Sequence, residues 1–280
     1  MHRTAAIYAA ACTEINTWLS GAVKELEREW VRGASWYIDK ALDIVASSPD
    51  PLRAAEAVRR VRPGMGPLDV LYLIVAEAVE RGADVGKALA KLREYISLAR
   101  RRLDASVKAL GCPRAVATVS FSRAVARLLE AKAHCVEVVY LAESRPGLEA
   151  LEAAKTYGRR VVVVPDSAVG AFDYDLAVVG LDGLYEDYAF NKVGSLPLLA
   201  SAKARGIRTA AVFESYKAAP IPAPEPLRVA AETPLGAVEV PLFDKIPPSV
   251  FDLFITDLGL LSPAPPRVFY AELSSYIFAQ

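Results

Sequence analysis

Two spacings of apolar residues divide the chain. Up to about residue 110, apolar positions recur every three or four residues, as at Ala22, Leu26, Trp30 and Val31, among Ala, Leu, Glu, Lys and Arg. These residue types lose least on entering a helix. Pro51 and the pair Pro63 and Pro67 cut this half into segments, because proline removes a backbone donor and clashes with the preceding turn. Helices are predicted over 69–80 and 84–108, with no strand pattern and no internal repeat. The pattern changes at Gly111-Cys112-Pro113, after which β-rich runs at 115–119, 136–142, 160–164, 176–179, 209–213 and 251–256 alternate with helical stretches at 122–133, 146–157 and 194–205. Such alternation predicts a parallel sheet with helices on both faces. The unbroken apolar run Val161-Val162-Val163-Val164 fits a strand covered on both sides. The Pro-rich stretch 219–226 reads as a loop, because a buried strand still follows it. The fold class predicted is therefore α/β: a helical N-terminal domain, residues 1–110, plus a Rossmann-like parallel-sheet C-terminal domain, residues 111–280.

Composition narrows the function. The 280 residues carry 33 Lys plus Arg and 33 Asp plus Glu, so the basic excess that grips nucleic-acid phosphates is missing and no nucleic-acid partner is expected. Arg100-Arg101-Arg102 reads as a solvated helix face, and Arg59, Arg60 and Arg62 form a second basic cluster. Cys12, Cys112 and Cys135 have no paired spacing, suggesting neither a disulfide framework nor a zinc site. His2 and His134 are too few and isolated for a metal centre, so no metal and no cofactor is expected. No apolar run reaches bilayer length, and the Ala-rich start is broken by Glu14. No membrane partner or signal peptide is therefore expected, and a cytoplasmic location is. Asparagine occurs only at Asn16 and Asn191 and glutamine only at Gln280, a depletion expected of a thermophile's protein. It makes Asn191, beside Lys192, stand out.

The candidate chemistry falls at the carboxyl ends of predicted strands, where open α/β sheets bind ligands. Asp182 supplies a carboxylate, Asn191 an amide and Lys192 a cation. Ser122 follows the first strand as an N-cap, serving either that purpose alone or an anion site at the helix N-terminus. Arg145, after the second strand, presents a planar fork suited to phosphate, and Lys217 either reaches a phosphate or lies in solvent. In the helical half, Val31-Arg32-Gly33-Ala34 and Arg62-Pro63-Gly64-Met65-Gly66 are small signatures. The glycines of the second either let backbone N–H groups approach an oxyanion or make an interhelical turn.

Taken in order, Thr118-Val119-Ser120-Phe121-Ser122-Arg123, Glu143-Ser144-Arg145-Pro146, Asp182, Asn191-Lys192-Val193-Gly194 and Glu214-Ser215-Tyr216-Lys217 resemble the translation initiation factor 2B alpha/beta/delta family. That superfamily also includes ribose-1,5-bisphosphate isomerase and methylthioribose-1-phosphate isomerase. The resemblance covers nearly the whole chain and implies a ligand held between the two domains. It implies phosphate contacts from Arg32, Gly33 and Arg62, and a dimer interface near the C-terminal strand. The isomerases use a cysteine and an aspartate as acid and base. Asp182 matches the aspartate, but the cysteine position is Ser120. Losing one positioned proton-transfer group costs about 10²–10⁴-fold in rate, and a serine hydroxyl needs an adjacent base. The loop 184–190 lacks the family's glycines and carries Tyr185, Tyr188 and Phe190, which are expected to narrow the pocket. The resulting expectation is an initiation factor 2B-like regulatory subunit that binds a sugar phosphate or nucleotide without turnover. The alternatives are an aldose–ketose sugar-phosphate isomerase using Asp182, and a paralogue with a filled pocket. The partners implied are the phosphorylated ligand, a second copy in a homodimer or in a hexamer built of dimers, and an initiation factor 2 subunit.

Overall fold

After a helical stretch at 21–28 come α1 (Ala34–Ser47), α2 (Pro51–Val61), α3 (Gly66–Glu80) and α4 (Val85–Ala109). The structure, a computed structural model, describes residues 19, 21–29, 33–158 and 160–279; His2, Cys12, Glu14, Asn16, Trp30, Val31, Arg32 and Gln280 lie outside the described residues. Local chemistry sets the helix starts. The Asp50 carboxylate accepts from Arg53 N–H ahead of α2, with Pro51 in the first turn, and Asp84 accepts from Lys87 N–H ahead of α4. Tyr37, Leu71, Ile74, Leu92 and Tyr95 form the shared core of this half.

The remainder runs β1 (Ala115–Val119), α5 (Arg123–Ala131), β2 (Val138–Ala142), α6 (Ala150–Tyr157), β3 (Val161–Val164), β4 (Leu176–Gly180), β5 (Gly183–Leu184), β6 (Ala189–Lys192), α7 (Ser195–Ala204), β7 (Arg208–Val212), β8 (Arg228–Thr233), β9 (Gly236–Pro241), β10 (Phe243–Ile246), β11 (Leu253–Thr256), β12 (Gly259–Leu261) and α8 (Pro266–Phe278). The main sheet has the order β12-β11-β7-β4-β1-β2-β3, parallel except for the antiparallel β11–β12 pair. Successive residues face opposite sides. Val116, Leu176 and Val178 meet α5 through Leu128, whereas Ala117, Ala177 and Val179 meet α7 through Leu198 and Leu199. The fold is thus α/β, a helical N-terminal region followed by a mostly parallel sheet.

Several expectations need correction. The valine run of β3 is not covered on both sides: β3 is an edge strand, and Val162 and Val163 are 44% and 46% exposed. The helix expected from 146 begins at Ala150, and residues 145–149 form a turn. Arg100 does not sit on a solvated face, because it bonds both oxygens of Asp39 at 3.1 and 3.2 Å and the Ser35 carbonyl, tying α4 to α1. The small β5–β6–β10 sheet, the β8–β9 hairpin, β12 and α8 are additions. The last helix returns to the helical half, placing Leu273 and Ile277 in its core, with Tyr270 and Ser274 hydroxyls donating to Glu77 at 2.9 and 2.7 Å. Among the described residues no helix is long and apolar enough to cross a membrane.

The cysteines are also paired, contrary to expectation. Cys112 and Cys135 form a disulfide with their Cα atoms 6.0 Å apart, and His134 Nε2 lies 3.4 Å from Cys112 Sγ. The cause is strand register. Ala115 pairs with Val138 across β1 and β2, so the residue three positions before each lies at the same end of the sheet. The bond closes a loop with a sequence separation of 23, for which chain entropy gives a stabilisation of about 3 kcal/mol. Reduction, or Cys112→Ser, is expected to lower the melting temperature by roughly 5–10 °C, measured by calorimetry with and without a dithiol reductant.

Candidate functional site

A cleft of about 590 Å³ opens between the helices and the carboxyl edge of the sheet. Its floor follows β4. Gly180 gives way to Leu181 and Asp182, whose N–H donates to the Phe190 carbonyl at 2.8 Å and whose carbonyl accepts from Gly66 N–H at 2.9 Å. This last bond docks the Arg62–Gly66 turn onto the sheet. A Cβ on Gly66 would lie 2.2 Å from the Lys217 carbonyl and 2.9 Å from Gly183 Cα, so the contact admits only glycine. Gly64, at φ +96°, is packed against the Phe190 ring. The glycines of this turn therefore serve the joint between helices and sheet: the Gly66 N–H is spent on Asp182, not offered to an oxyanion.

The aromatic loop does not narrow the cleft. Tyr185 and Phe190 are fully buried in the core of the helical half, their rings 5.1 Å apart edge to face. Tyr185 donates to Asp69 Oδ2 at 2.7 Å, and Arg59 lies 3.6 Å from the other oxygen.

Two helix N-termini border the cleft. Gly33, Ala34 and Ser35 at the start of α1 line one side, and Ser122 and Arg123 at the start of α5 line another. The Ser122 hydroxyl caps Val125 N–H at 3.4 Å, and Ser122 N–H donates to the Tyr157 hydroxyl at 2.8 Å. First-turn N–H groups have no intrahelical partner and attract anions. By contrast, α7 is closed to ligands: Asp244 Oδ2 takes the N–H groups of Gly194 and Leu196 at 2.9 and 2.8 Å. Ser120 sits between β1 and α5 at φ +65°, an uncommon conformation for serine, held by its N–H on Ser144 Oγ at 2.7 Å. Its hydroxyl makes no hydrogen bond among the described residues.

The charges are compensated in pairs. Lys192 is 4% exposed and paired with Glu149; Lys217 is 6% exposed and lies 3.1 Å from Glu214. Burial disfavours the charges of Lys217 and Glu214, but their pairing outweighs it, holding Lys217 above the ordinary lysine range and Glu214 below the ordinary carboxylate range. For Asp182 burial prevails: its carboxyl is raised, against the pull of Lys217, Arg62 and Lys192. Arg62, itself buried, donates to the Glu29 carbonyl at 2.6 Å and to the Tyr37 hydroxyl. Asn191 donates to Ser195 Oγ at 2.8 Å, which orients its amide at the cleft wall.

Of the sequence-predicted site residues, Gly33, Arg62, Ser120, Ser122, Asp182, Asn191, Lys192 and Lys217 line one cleft. Arg145 does not. Its side chain is exposed and bonds Glu143 at 3.0 Å. Arg32 lies outside the described residues.

Comparison with known proteins decides the family. The model of the initiation factor 2 subunit family matches residues 104–263, more than half of the chain. The chain belongs to the initiation factor 2 subunit family. A curated relative, the putative translation initiation factor eIF-2B subunit 2-like protein of Pyrococcus horikoshii, is 25% identical over 262 residues, spanning 86% of this chain and 95% of its own. The crystal structure of the P. horikoshii OT3 translation initiation factor eIF-2B superposes with a TM-score of 0.76 at 24% identity, covering 90% of this chain and 98% of that one. The 5-methylthioribose 1-phosphate isomerase of P. horikoshii OT3 gives 0.65 at 20% identity, covering 91% and 87%. The same fold thus serves an initiation factor and a sugar isomerase.

Within this family member, sequence reasoning missed Glu149, Arg123 and Ser35 as cleft residues. Glu149 was placed inside a predicted helix, and only the turn at 145–149 brings it to Lys192. Asp69, beneath the floor, gives a test of the packing. Burial raises its carboxyl to about 6, with the Tyr185 hydroxyl and Arg59 pulling it down less. A folded pKa above the unfolded value near 3.9 means that its stabilising contribution is full below about pH 4 and lost as pH rises through about 6. Asp69→Asn is accordingly expected to gain about 2–3 kcal/mol relative to the natural protein between pH 4 and pH 8, read from urea unfolding at the two pH values.

Proposed function

We propose that this family member binds a phosphorylated sugar or a nucleotide in the cleft and acts as a regulatory subunit of the initiation factor 2B type, without turning the ligand over. The observation that carries this reading is the wall around Ser120. Two helix N-termini, Arg62, Lys192 and Lys217 converge on a polar cleft, the arrangement that suits a phosphate. Yet the position that holds the isomerases' cysteine bears a serine whose hydroxyl makes no hydrogen bond to a base among the described residues. His134, the histidine among the described residues, lies with Cys112 and Cys135 before β1 and β2, at the other end of the sheet. A 590 Å³ cleft also argues against a filled pocket.

A homodimer in the cytoplasm of a thermophilic archaeon belongs to this reading, with a subunit of initiation factor 2 as its further partner. Exposed Leu260 and Val268, at the β12 and α8 edge, support self-association there, and the scarcity of amides supports the thermophile. An isomerase remains the second reading, favoured by Asp182: a carboxyl raised by burial at the cleft floor is suited to carry a proton.

Thermal melting with a ligand panel tests the binding reading. Ribose 5-phosphate, AMP and ribose 1,5-bisphosphate, each at saturating concentration, are compared with unphosphorylated ribose. A ligand at 100 times its Kd adds about 2.7 kcal/mol, so at least one phosphorylated compound is expected to raise the midpoint by roughly 5–10 °C, and ribose to leave it unmoved. Equal melting with every compound would contradict the reading.

A further inference from the structure

Cys112, His134 and Cys135 meet ahead of β1 and β2, at the opposite edge of the sheet from the cleft. Their two sulfurs and one ring nitrogen all lie within 4.8 Å of one another. His134 is isolated in sequence, but the turn after α5 brings its Nε2 to 3.4 Å from Cys112 Sγ. The segments that carry these side chains are fastened together without help from the disulfide. Lys132, buried, donates from Nζ to the Lys108 and Leu110 carbonyls at 2.9 and 2.6 Å, which joins the end of α4 to the turn that follows α5. The Lys132 carbonyl accepts the N–H groups of Cys135 and Val136, each at 2.9 Å. Arg160 holds the same turn from its other side, donating to the Ala133 carbonyl at 2.9 Å and to the Val136 carbonyl. After Cys112, the Asp175 carboxylate takes the N–H groups of Arg114 and Ala115 at 2.8 and 3.0 Å, and the Arg114 carbonyl accepts Glu137 N–H at 2.7 Å. Opening the disulfide therefore leaves two thiols as neighbours beside one imidazole.

We propose that Cys112, His134 and Cys135 form a zinc site once the disulfide is reduced, so that the ion and the disulfide are alternative clasps on the same two segments. Two thiolates and an imidazole are a donor set for a borderline-soft cation, and they offer magnesium or calcium no oxygen ligand. Zinc binds sulfur at about 2.3 Å and nitrogen at about 2.0–2.1 Å, which sets tetrahedral neighbours about 3.5–3.8 Å apart. The three atoms span no more than 4.8 Å, a difference that rotation of the side chains covers. Cys112 and His134 are exposed, so the fourth position faces solvent and takes a water. The exchange needs a dithiol reductant. It gives up two electrons and two protons as its own sulfurs join, and the Cys112–Cys135 bond opens to two thiols. Zinc then displaces one proton from each thiol to solvent and takes Nε2 of the neutral imidazole. The site stands apart from Asp182 and the cleft, and it requires no ligand there.

Titration of the full chain with zinc chloride against a chromophoric chelator tests this, on the oxidised protein and on protein reduced with a water-soluble phosphine, which leaves no added thiol to compete for the ion. The reduced protein is expected to bind one zinc per chain and the oxidised protein none. Cobalt chloride in place of zinc should give the near-ultraviolet thiolate-to-metal band and the visible bands of a tetrahedral ion. Zinc should also return at least half of the melting temperature lost on reduction. Removing a group behind a metal ligand costs about 10–100-fold in affinity, so His134→Ala, which removes a ligand itself, should weaken zinc at least tenfold. Because this variant keeps both cysteines, an oxidised form that melts like the natural protein shows that it folds. Cys112→Ser should weaken zinc at least as much and abolish the thiolate band's full intensity. Equal zinc uptake by oxidised and reduced protein would overturn the proposal, as would no uptake by either. Unchanged affinity and cobalt spectrum in His134→Ala would overturn the three-ligand site, and one zinc per two chains would overturn a site complete within one chain.

Discussion

Gly66 lies where two backbones meet with no space for a side chain, and the cleft depends on that contact. Its N–H bonds the Asp182 carbonyl, while the Lys217 carbonyl and Gly183 close over the place where a Cβ would project. The joint therefore fixes three cleft positions at once: Arg62 from the helical half, Asp182 after β4, and Lys217 after β7. Around it, Tyr185 and Phe190 carry the loop from the sheet into the helical core, and Tyr95 bonds the Ser215 hydroxyl, which bonds Asp257. Burial of aromatic rings supplies the adhesion, and the backbone contact supplies the register.

Once helices and sheet are locked, the cleft has to hold several charges out of water. Isolated buried ions are prohibitively costly, and pairing makes them tolerable. Glu149 answers Lys192, Glu214 answers Lys217, and Asp182 sits within the field of Arg62, Lys192 and Lys217. The starts of α1 and α5 are different, because they border the cleft and no hydrogen bond from a carboxylate closes them among the described residues as Asp244 closes α7. The cleft thus presents helix N-termini beside cations already paired with carboxylates. The proposed recognition of a ligand's shape and charge, over proton chemistry, rests on the Ser120 hydroxyl making no hydrogen bond to a base among the described residues.

How much of this was legible depended on how local each signal is. The six parallel strands were readable because each apolar run is local. Asp182, Asn191, Lys192 and Ser122 were readable because sheet topology puts strand ends at one edge. Pairings set by distant register were not: the Cys112–Cys135 bond follows from β1 lying beside β2, which spacing alone does not reveal. Strand β3 misled because four valines look the same at an edge and in the middle of a sheet. Tyr185 and Phe190 were legible as large side chains but not as to which core they enter, and Glu149 was hidden because a turn replaced the expected helix start. Arg145 had the right chemistry at a strand end, but Glu143 holds it outside the cleft.

The central claim, binding without turnover, is met most directly by phosphorus NMR of the protein at near-equimolar concentration with ribose 1,5-bisphosphate at elevated temperature. The account predicts shifted or broadened resonances of the added compound and no new ones as incubation lengthens. Resonances of ribulose 1,5-bisphosphate would contradict the absence of turnover, and a spectrum identical to that of the free compound at millimolar protein would contradict the binding.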